Sequence, residues 1–183
     1  MLNKLIAALL LLLLSPIFVV VALLIVLDDG FPIFFTQQRV GVHSTFFNIY
    51  KFRSMKKDTP NVATHLLENP EQYLLKIGGL IRRLSIDELP NIINILRGEM
   101  VFVGPRPALY NQDDLMRLRV QAGVDQLIPG ITGWAQINGR DEISLEEKVQ
   151  YEKEYLERKS FWFDLKIVVF TFVKVLNSNG VQH

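Results

Sequence analysis

Residues 5 to 27 carry no charge, and Ser15-Pro16 stands near their middle, within LLLLLLSPIFVVV. As a continuous helix this run would reach about 34 Å, enough to cross the hydrocarbon core of a bilayer. A secretory signal fits poorly, because the apolar stretch is longer than a signal core, lacks a small-x-small cleavage site and runs straight into Asp28-Asp29-Gly30. Pro16 removes one backbone donor and its ring crowds the carbonyl four residues earlier, so a kink at half depth is expected, with Ser15 placed to bond the freed carbonyl. Two topologies stay open at this point. Either a kinked helix spans the membrane, or halves of ten and eleven residues form a re-entrant hairpin that leaves by the face it entered. Lys4 precedes the run and Arg39, Lys51, Arg53, Lys56 and Lys57 follow it, so positive charge on both flanks does not choose between them.

The remaining chain, out of 183 residues, is the size of one ordinary domain. This divides the protein into a membrane element over 1–29 and a catalytic or binding domain over 30–183. Twenty Lys and Arg against nineteen Asp and Glu give a net charge of +1, which excludes the basic footprint of a nucleic-acid binder. Absence of cysteine excludes a disulfide framework and thiol catalysis, and His43, His65 and His183 are too scattered to be metal ligands.

The expected fold is mixed α/β, helix-rich, with a small β-hairpin. Ile33 to Arg39 and Thr45 to Phe52 are β-branched and aromatic runs joined by a turn at Gly41, with Lys51 and Arg53 on one face and Tyr50 and Phe52 on the other. Asn69-Pro70 opens a short helix that stops at Gly78-Gly79. In SIDELPNIINILRGEM, Leu89, Ile92, Ile93 and Leu96 have helical spacing and Gly98 ends the helix; a start at Asp87 keeps Pro90 within the first turn. Val101 to Val103 is a short strand, residues 112–121 a helix, 129–133 a turn-rich loop, 134–137 a strand, and 138–140 a turn. Ser144 and Glu147 form a capping box for a helix reaching about Lys159. In FWFDLKIVVFTFVKVL, Asp164, Thr171 and Lys174 share one helical face, the pattern of an interfacial amphipathic helix with its aromatic side in lipid; a buried core helix is the competing reading.

Acidic residues in a first helical turn ordinarily cap the helix, so Asp87-Glu88 alone implies no chemistry. Beside Arg82 and Arg83, however, a carboxylate at that place is expected to stay ionised, as a nucleophile or metal ligand must. Lys51, Arg53, Arg82, Arg83, Arg106 and Arg140 lie in or beside turns and strand ends, a display suited to phosphate recognition. With a membrane element, they point to a phosphate-bearing substrate that is part water-soluble and part lipid.

KFRSM (51–55), RRLSIDELPNIINILRGEM (82–100), VGPRP (103–107), PGITGWAQINGR (129–140) and SFWFDLK (160–166), in that order, resemble the bacterial sugar transferases, or monotopic phosphoglycosyl transferases, in their minimal single-core form. The resemblance implies transfer of a sugar-1-phosphate from a UDP-sugar to undecaprenyl phosphate, releasing UMP and initiating a surface glycan such as an exopolysaccharide or lipopolysaccharide. By the same resemblance Asp87 is the nucleophile and Glu88 the Mg²⁺ ligand. Lys51, Arg53, Arg82 and Arg140 then hold phosphates, and Pro105-Arg106-Pro107 lies by the nucleotide. It also implies a monotopic protein of the bacterial inner membrane, its N-terminal helix re-entrant at Ser15-Pro16 and its catalytic domain facing the cytoplasm. A homo-oligomer or downstream glycosyltransferases are further partners it allows. Two alternatives remain: direct displacement with Asp87 as general base, and a non-catalytic membrane-anchored interaction module. Residues 58–76 match no motif with an assigned role.

Overall fold

The computed structural model describes residues 1–60, 69–139 and 143–177. Helix α1 (Leu2–Asp29) runs unbroken through Pro16. The expected break into two separate helices at Ser15-Pro16 is therefore not seen. Pro16 cannot donate to the Leu12 carbonyl, and the Ser15 hydroxyl donates to that oxygen instead, at 2.7 Å, which keeps the acceptor satisfied. Among the described residues α1 alone is long and apolar enough to cross a membrane. Its outward side is apolar throughout, from Leu5, Leu9, Leu12 and Leu13 to Val20, Leu23 and Leu27.

The inward side of α1 enters two separate cores. Ala7, with Leu10, Leu11 and Leu14, packs on Ile49, Ile92, Ile95 and Met100. Val21 and Ile25, with Phe18, pack on Phe52, Leu75 and Ile81. Fully burying side chains of this size stabilises by about 1.5–3 kcal/mol each, so α1 is held along its length. Its two ends are held as well. Lys4 lies against Gly98, while Asp28 pairs with Lys76 and Asp29 with Arg53.

The hairpin forms as expected: β1 (Phe34–Val40) pairs antiparallel with β2 (Phe46–Phe52), in register Phe34 with Phe52 and Val40 with Phe46. A 3-10 turn at Pro70–Tyr73 then leads to α2 (Gly78–Arg83), so Gly78-Gly79 begin a helix rather than end one. Gly78 is needed for close approach, since a Cβ there would run into the Ser54 carbonyl. A second 3-10 turn, Ile86–Glu88, precedes α3 (Asn91–Arg97). Helix α3 thus starts four residues later than expected, because Pro90 is tolerated just outside the helix, where its missing N–H costs nothing. Gly98 ends it at φ 85°.

Strand β3 (Val101–Val103) pairs in parallel with β4 (Gly130–Thr132), and α5 (Trp134–Asn138) replaces the strand expected at 134–137. Helix α4 (Asp113–Gln121) and α6 (Leu145–Arg158) follow expectation, the latter with both halves of the Ser144–Glu147 capping box formed. In α7 (Phe161–Asn177) Asp164 and Thr171 turn inward, while Lys166 and Lys174 are exposed. Asp164 accepts from the Tyr155 hydroxyl at 2.8 Å and Thr171 bonds Thr132 at 2.7 Å, beside buried Phe163 and Ile167. Phe161, Trp162, Leu165, Val169, Phe170, Phe172 and Val173 face outward. The aromatic side faces outward as expected, with one correction: Asp164 and Thr171 bind the domain instead of water, which leaves an outer face that is largely apolar and carries Lys166 and Lys174. An exposed apolar surface on this scale marks a membrane or protein contact.

Candidate active site

The buried Asn94 side chain joins α3 to the outer edge of β2. Its amide nitrogen donates to the Asn48 carbonyl and to Glu99, both at 2.7 Å, and its oxygen accepts from Tyr50 N at 3.2 Å. That docking carries the preceding Ile86–Glu88 turn against β2. Ser85, at φ 55°, takes the left-handed conformation that swings the chain into the turn.

There the Lys51 ammonium donates to Glu88 Oε1 at 2.7 Å, and Arg106 reaches the same oxygen at 3.4 Å. Burial pushes the Glu88 carboxyl up, but Arg106 and Lys51 outweigh it and hold the pKa at about 2. Asp87 behaves oppositely. Burial lifts it to about 6, and the pull of Lys51 and Arg82 does not overcome burial together with repulsion from Glu88. Asp87 is thus still ionised for the most part at pH 7, but it titrates far higher than Glu88, at about 6, because burial outweighs its basic neighbours. Environments that push two adjacent carboxyls apart are a mark of functional sites.

A shallow open cleft beside Glu88 is lined by Lys51, Arg39, Arg106, Pro107, Asn91 and an apolar wall of Ile49, Met100 and Ile131. Arg82 flanks the dyad, with Nε donating to Ser54 Oγ at 3.0 Å; burial lowers its pKa while Asp87 raises it. Arg53 lies elsewhere. Strand β2 ends at Phe52, so Arg53 leaves the face of Lys51 and its buried guanidinium binds Asp29 and the carbonyls of Gly30 and Pro32. Its bonds anchor α1. Arg140 lies outside the described residues, as do 61–68 of the segment without an assigned role.

Three successive carbonyls of the Pro105-Arg106-Pro107 turn are each gripped. Gly130 N donates to Pro105 at 2.9 Å, Arg119 to Arg106 at 2.9 Å and Arg39 to Pro107 at 3.1 Å. Arg119 is in turn held in the core by Glu152, through a two-pronged bond from Nε and Nη2. Glu152→Ala would strand a buried guanidinium, and is expected to cost about 3–5 kcal/mol and to lower activity by loosening Arg106; thermal unfolding beside a turnover assay measures both. Arg119 and Glu152 escape sequence reasoning because neither stands in a turn or beside the Asp-Glu pair, and Arg39 and Asn91 because nothing local shows that they line the cleft. Only a basic residue in a strand otherwise built for packing hinted at Arg39.

A cation could be held here by Glu88. Both basic residues meet Oε1, leaving Oε2, and Mg²⁺ commonly takes one carboxylate together with substrate phosphates and water. Among the described residues there is no cluster of three or more acidic, His or Cys side chains, so a dedicated protein cage is not formed.

Residues 1–178 match the bacterial sugar transferase family. A sugar transferase of Bacillus subtilis, EpsL, is 46% identical over 84% of this chain and 74% of its own length. The UDP-glucose:undecaprenyl-phosphate glucose-1-phosphate transferase of Escherichia coli is 40% identical over 78% of this chain, but over 32% of its own length. An undecaprenyl-phosphate galactose phosphotransferase of Salmonella typhimurium is 34% identical over 85% of this chain and 36% of its own. The chain thus spans about a third of the length of the latter two relatives.

Proposed function

The chain belongs to the bacterial sugar transferase family, and on that premise we propose that it moves a sugar-1-phosphate from a UDP-sugar to undecaprenyl phosphate by way of Asp87. The observation that carries this reading is the divided dyad: an ionised Glu88 clamped by Lys51 and Arg106, next to an Asp87 whose carboxyl titrates near neutrality.

An Asp87 carboxylate oxygen attacks the sugar-bearing phosphorus, and the bond from that phosphorus to the bridging oxygen breaks, so UMP leaves. A phosphate oxygen of the lipid then attacks the same phosphorus and displaces the aspartyl oxygen. The sugar–oxygen bond is untouched. Lys51, Arg106 and Arg82 oppose the charge on the diphosphate, and Glu88 is the residue that would hold Mg²⁺. When bound, that ion acts as a Lewis acid on phosphoryl oxygens. A carboxyl near pKa 6 would also suit a general base, but a phosphate monoester is already largely dianionic at neutral pH and needs none. Because only the carboxylate attacks, single-turnover UMP release is expected to rise with pH through about 6 and to level off above it, as rapid-quench measurements across pH 5–8 would record.

Purified protein given a panel of UDP-sugars and undecaprenyl phosphate is expected to release UMP and form the lipid diphosphate sugar with at least one of them. No product from any would remove the reading. The protein is proposed to sit in the inner membrane, with both ends of α1 on the cytoplasmic side. In support, Lys4 at one end of α1 and Asp28 and Asp29 at the other all touch the same domain, whereas a spanning helix carries its two ends to opposite faces. An N-terminal tag is accordingly expected to be protected from protease in sealed, right-side-out spheroplasts; cleavage there would mean a true span.

A further inference from the structure

Two polar atoms in the cleft wall are buried without a partner, Arg39 Nε and Asn91 Oδ1. Nearly all buried polar groups in folded proteins are hydrogen-bonded, and an exception carries a desolvation penalty. Arg39 Nε is not free to swing elsewhere. Arg39 is fixed at its far end, with Nη1 donating to the Pro107 carbonyl at 3.1 Å and Nη2 to Gln37 Oε1 at 2.6 Å. Asn91 opens α3 three residues after Glu88 and is 4% exposed. One turn further on, Asn94 has both its amide nitrogen and its oxygen paired, so the helix is able to satisfy a buried asparagine.

The two orphans are complementary: Arg39 offers an N–H donor and Asn91 an acceptor. The cleft they share with Lys51, Glu88 and Arg106 is walled also by Ile49, Met100 and Ile131. Such a wall favours a ring with apolar faces and a polar edge. Resting on the nucleotide-sugar reading above, we propose that Arg39 and Asn91 form a donor–acceptor pair that reads a neutral edge of the donor substrate, while Lys51 and Arg106 take its phosphates. The shared chemistry is one acceptor and one donor on a single ring. A pyrimidine imide edge has both, and so does the hydroxyl-bearing edge of the sugar. A site that leaves its own polar groups unpaired rejects analogues lacking the matching group far more strongly than an apolar pocket does.

Asn91→Leu, of similar size and without the orphan oxygen, separates this role from a structural one. Its melting temperature is expected to be unchanged or higher, while the KM for the UDP-sugar rises by about 10-fold or more with a smaller change in kcat. Asn91→Ala removes the same oxygen, should raise the same KM, and decides the matter if the leucine variant fails to fold. Inhibition by UMP and by CMP distinguishes the two rings. If the base is read, Asn91→Leu weakens UMP by the same factor as KM and narrows the gap between UMP and CMP. If the sugar is read, UMP inhibition holds and the ranking among UDP-sugars flattens. KM and UMP inhibition both at wild-type values would overturn the proposal. Calorimetric binding of UMP and UDP-sugars to wild type and variants reads the pair even if no turnover is found, which keeps its failure distinct from failure of the proposed reaction.

Discussion

Asp87→Asn is expected to abolish UMP release and lipid product, by about four orders of magnitude or more, and to raise the melting temperature in the same protein. The two effects have one cause. Asp87 is buried where its charge is poorly solvated, and Lys51 and Arg82 do not fully compensate, so its pKa rises from an ordinary 3.8 to about 6. An acid with a folded-state pKa above its unfolded value contributes stability that is complete below about pH 4 and lost as pH rises through about 6. Above that pH the folded protein carries an unfavourable carboxylate. A neutral amide of the same shape removes it, which is worth about 1–2 kcal/mol after allowing for partial solvent access. The gain should shrink as pH falls from 6 toward 4, as paired thermal melts of wild type and variant would show. A variant both active and unchanged in its melting profile would deny Asp87 its role and its environment together.

Glu88→Gln should fail in the opposite sense, losing both stability and activity. Glu88 has its pKa held at about 2, so its contribution is present above its ordinary 4.5 and lost only as pH falls through about 2; the amide forfeits it across the whole working range. Lys51 and Arg106 would then face each other without the carboxylate between them. Turnover should drop by about 10²- to 10³-fold, the scale of losing one preorganised electrostatic group, and half-maximal Mg²⁺ should move to a higher concentration. The activity that remains carries a further signature. Glu88 is one of the groups that raises Asp87, so without it the rise of single-turnover UMP release with pH should be centred below about 6. An unmoved midpoint would show that the two carboxyls do not communicate.

Features legible in the sequence are those in which one local rule acts. The β1–β2 hairpin follows from alternation around Gly41, and the start of α6 from the Ser144–Glu147 box. The charged triad of Lys51, Glu88 and Arg106 was within reach because each member stands at a turn or strand end. What escaped depends on contacts between distant segments. Strand β3 lies where it was expected, at Val101–Val103, but its partner β4 has three residues, too few for a periodic signal, and Pro129-Gly130 reads as a loop until Val101 pairs with it. Gly78 reads as a helix stop, although its role is to clear the Ser54 carbonyl. That Asp87 titrates as high as about 6 was not legible, because a sequence does not show burial. Arg53 follows Lys51 by two positions and reads as its neighbour, but the strand ends between them and the side chain turns to Asp29. The aromatic side of α7 faces outward as expected, but the partners of Asp164 and Thr171, Tyr155 and Thr132, lie on other elements that helical spacing does not show.

The most direct test of the central claim omits the lipid. Protein mixed with an accepted UDP-sugar and Mg²⁺, without undecaprenyl phosphate, is expected to release about one UMP per active site and to gain the mass of one sugar phosphate, lost again on adding the lipid. Peptide mapping should place that mass on the segment containing Asp87. UMP released only when the lipid phosphate is present, with no adduct on the protein, would contradict the account and leave direct displacement in its place.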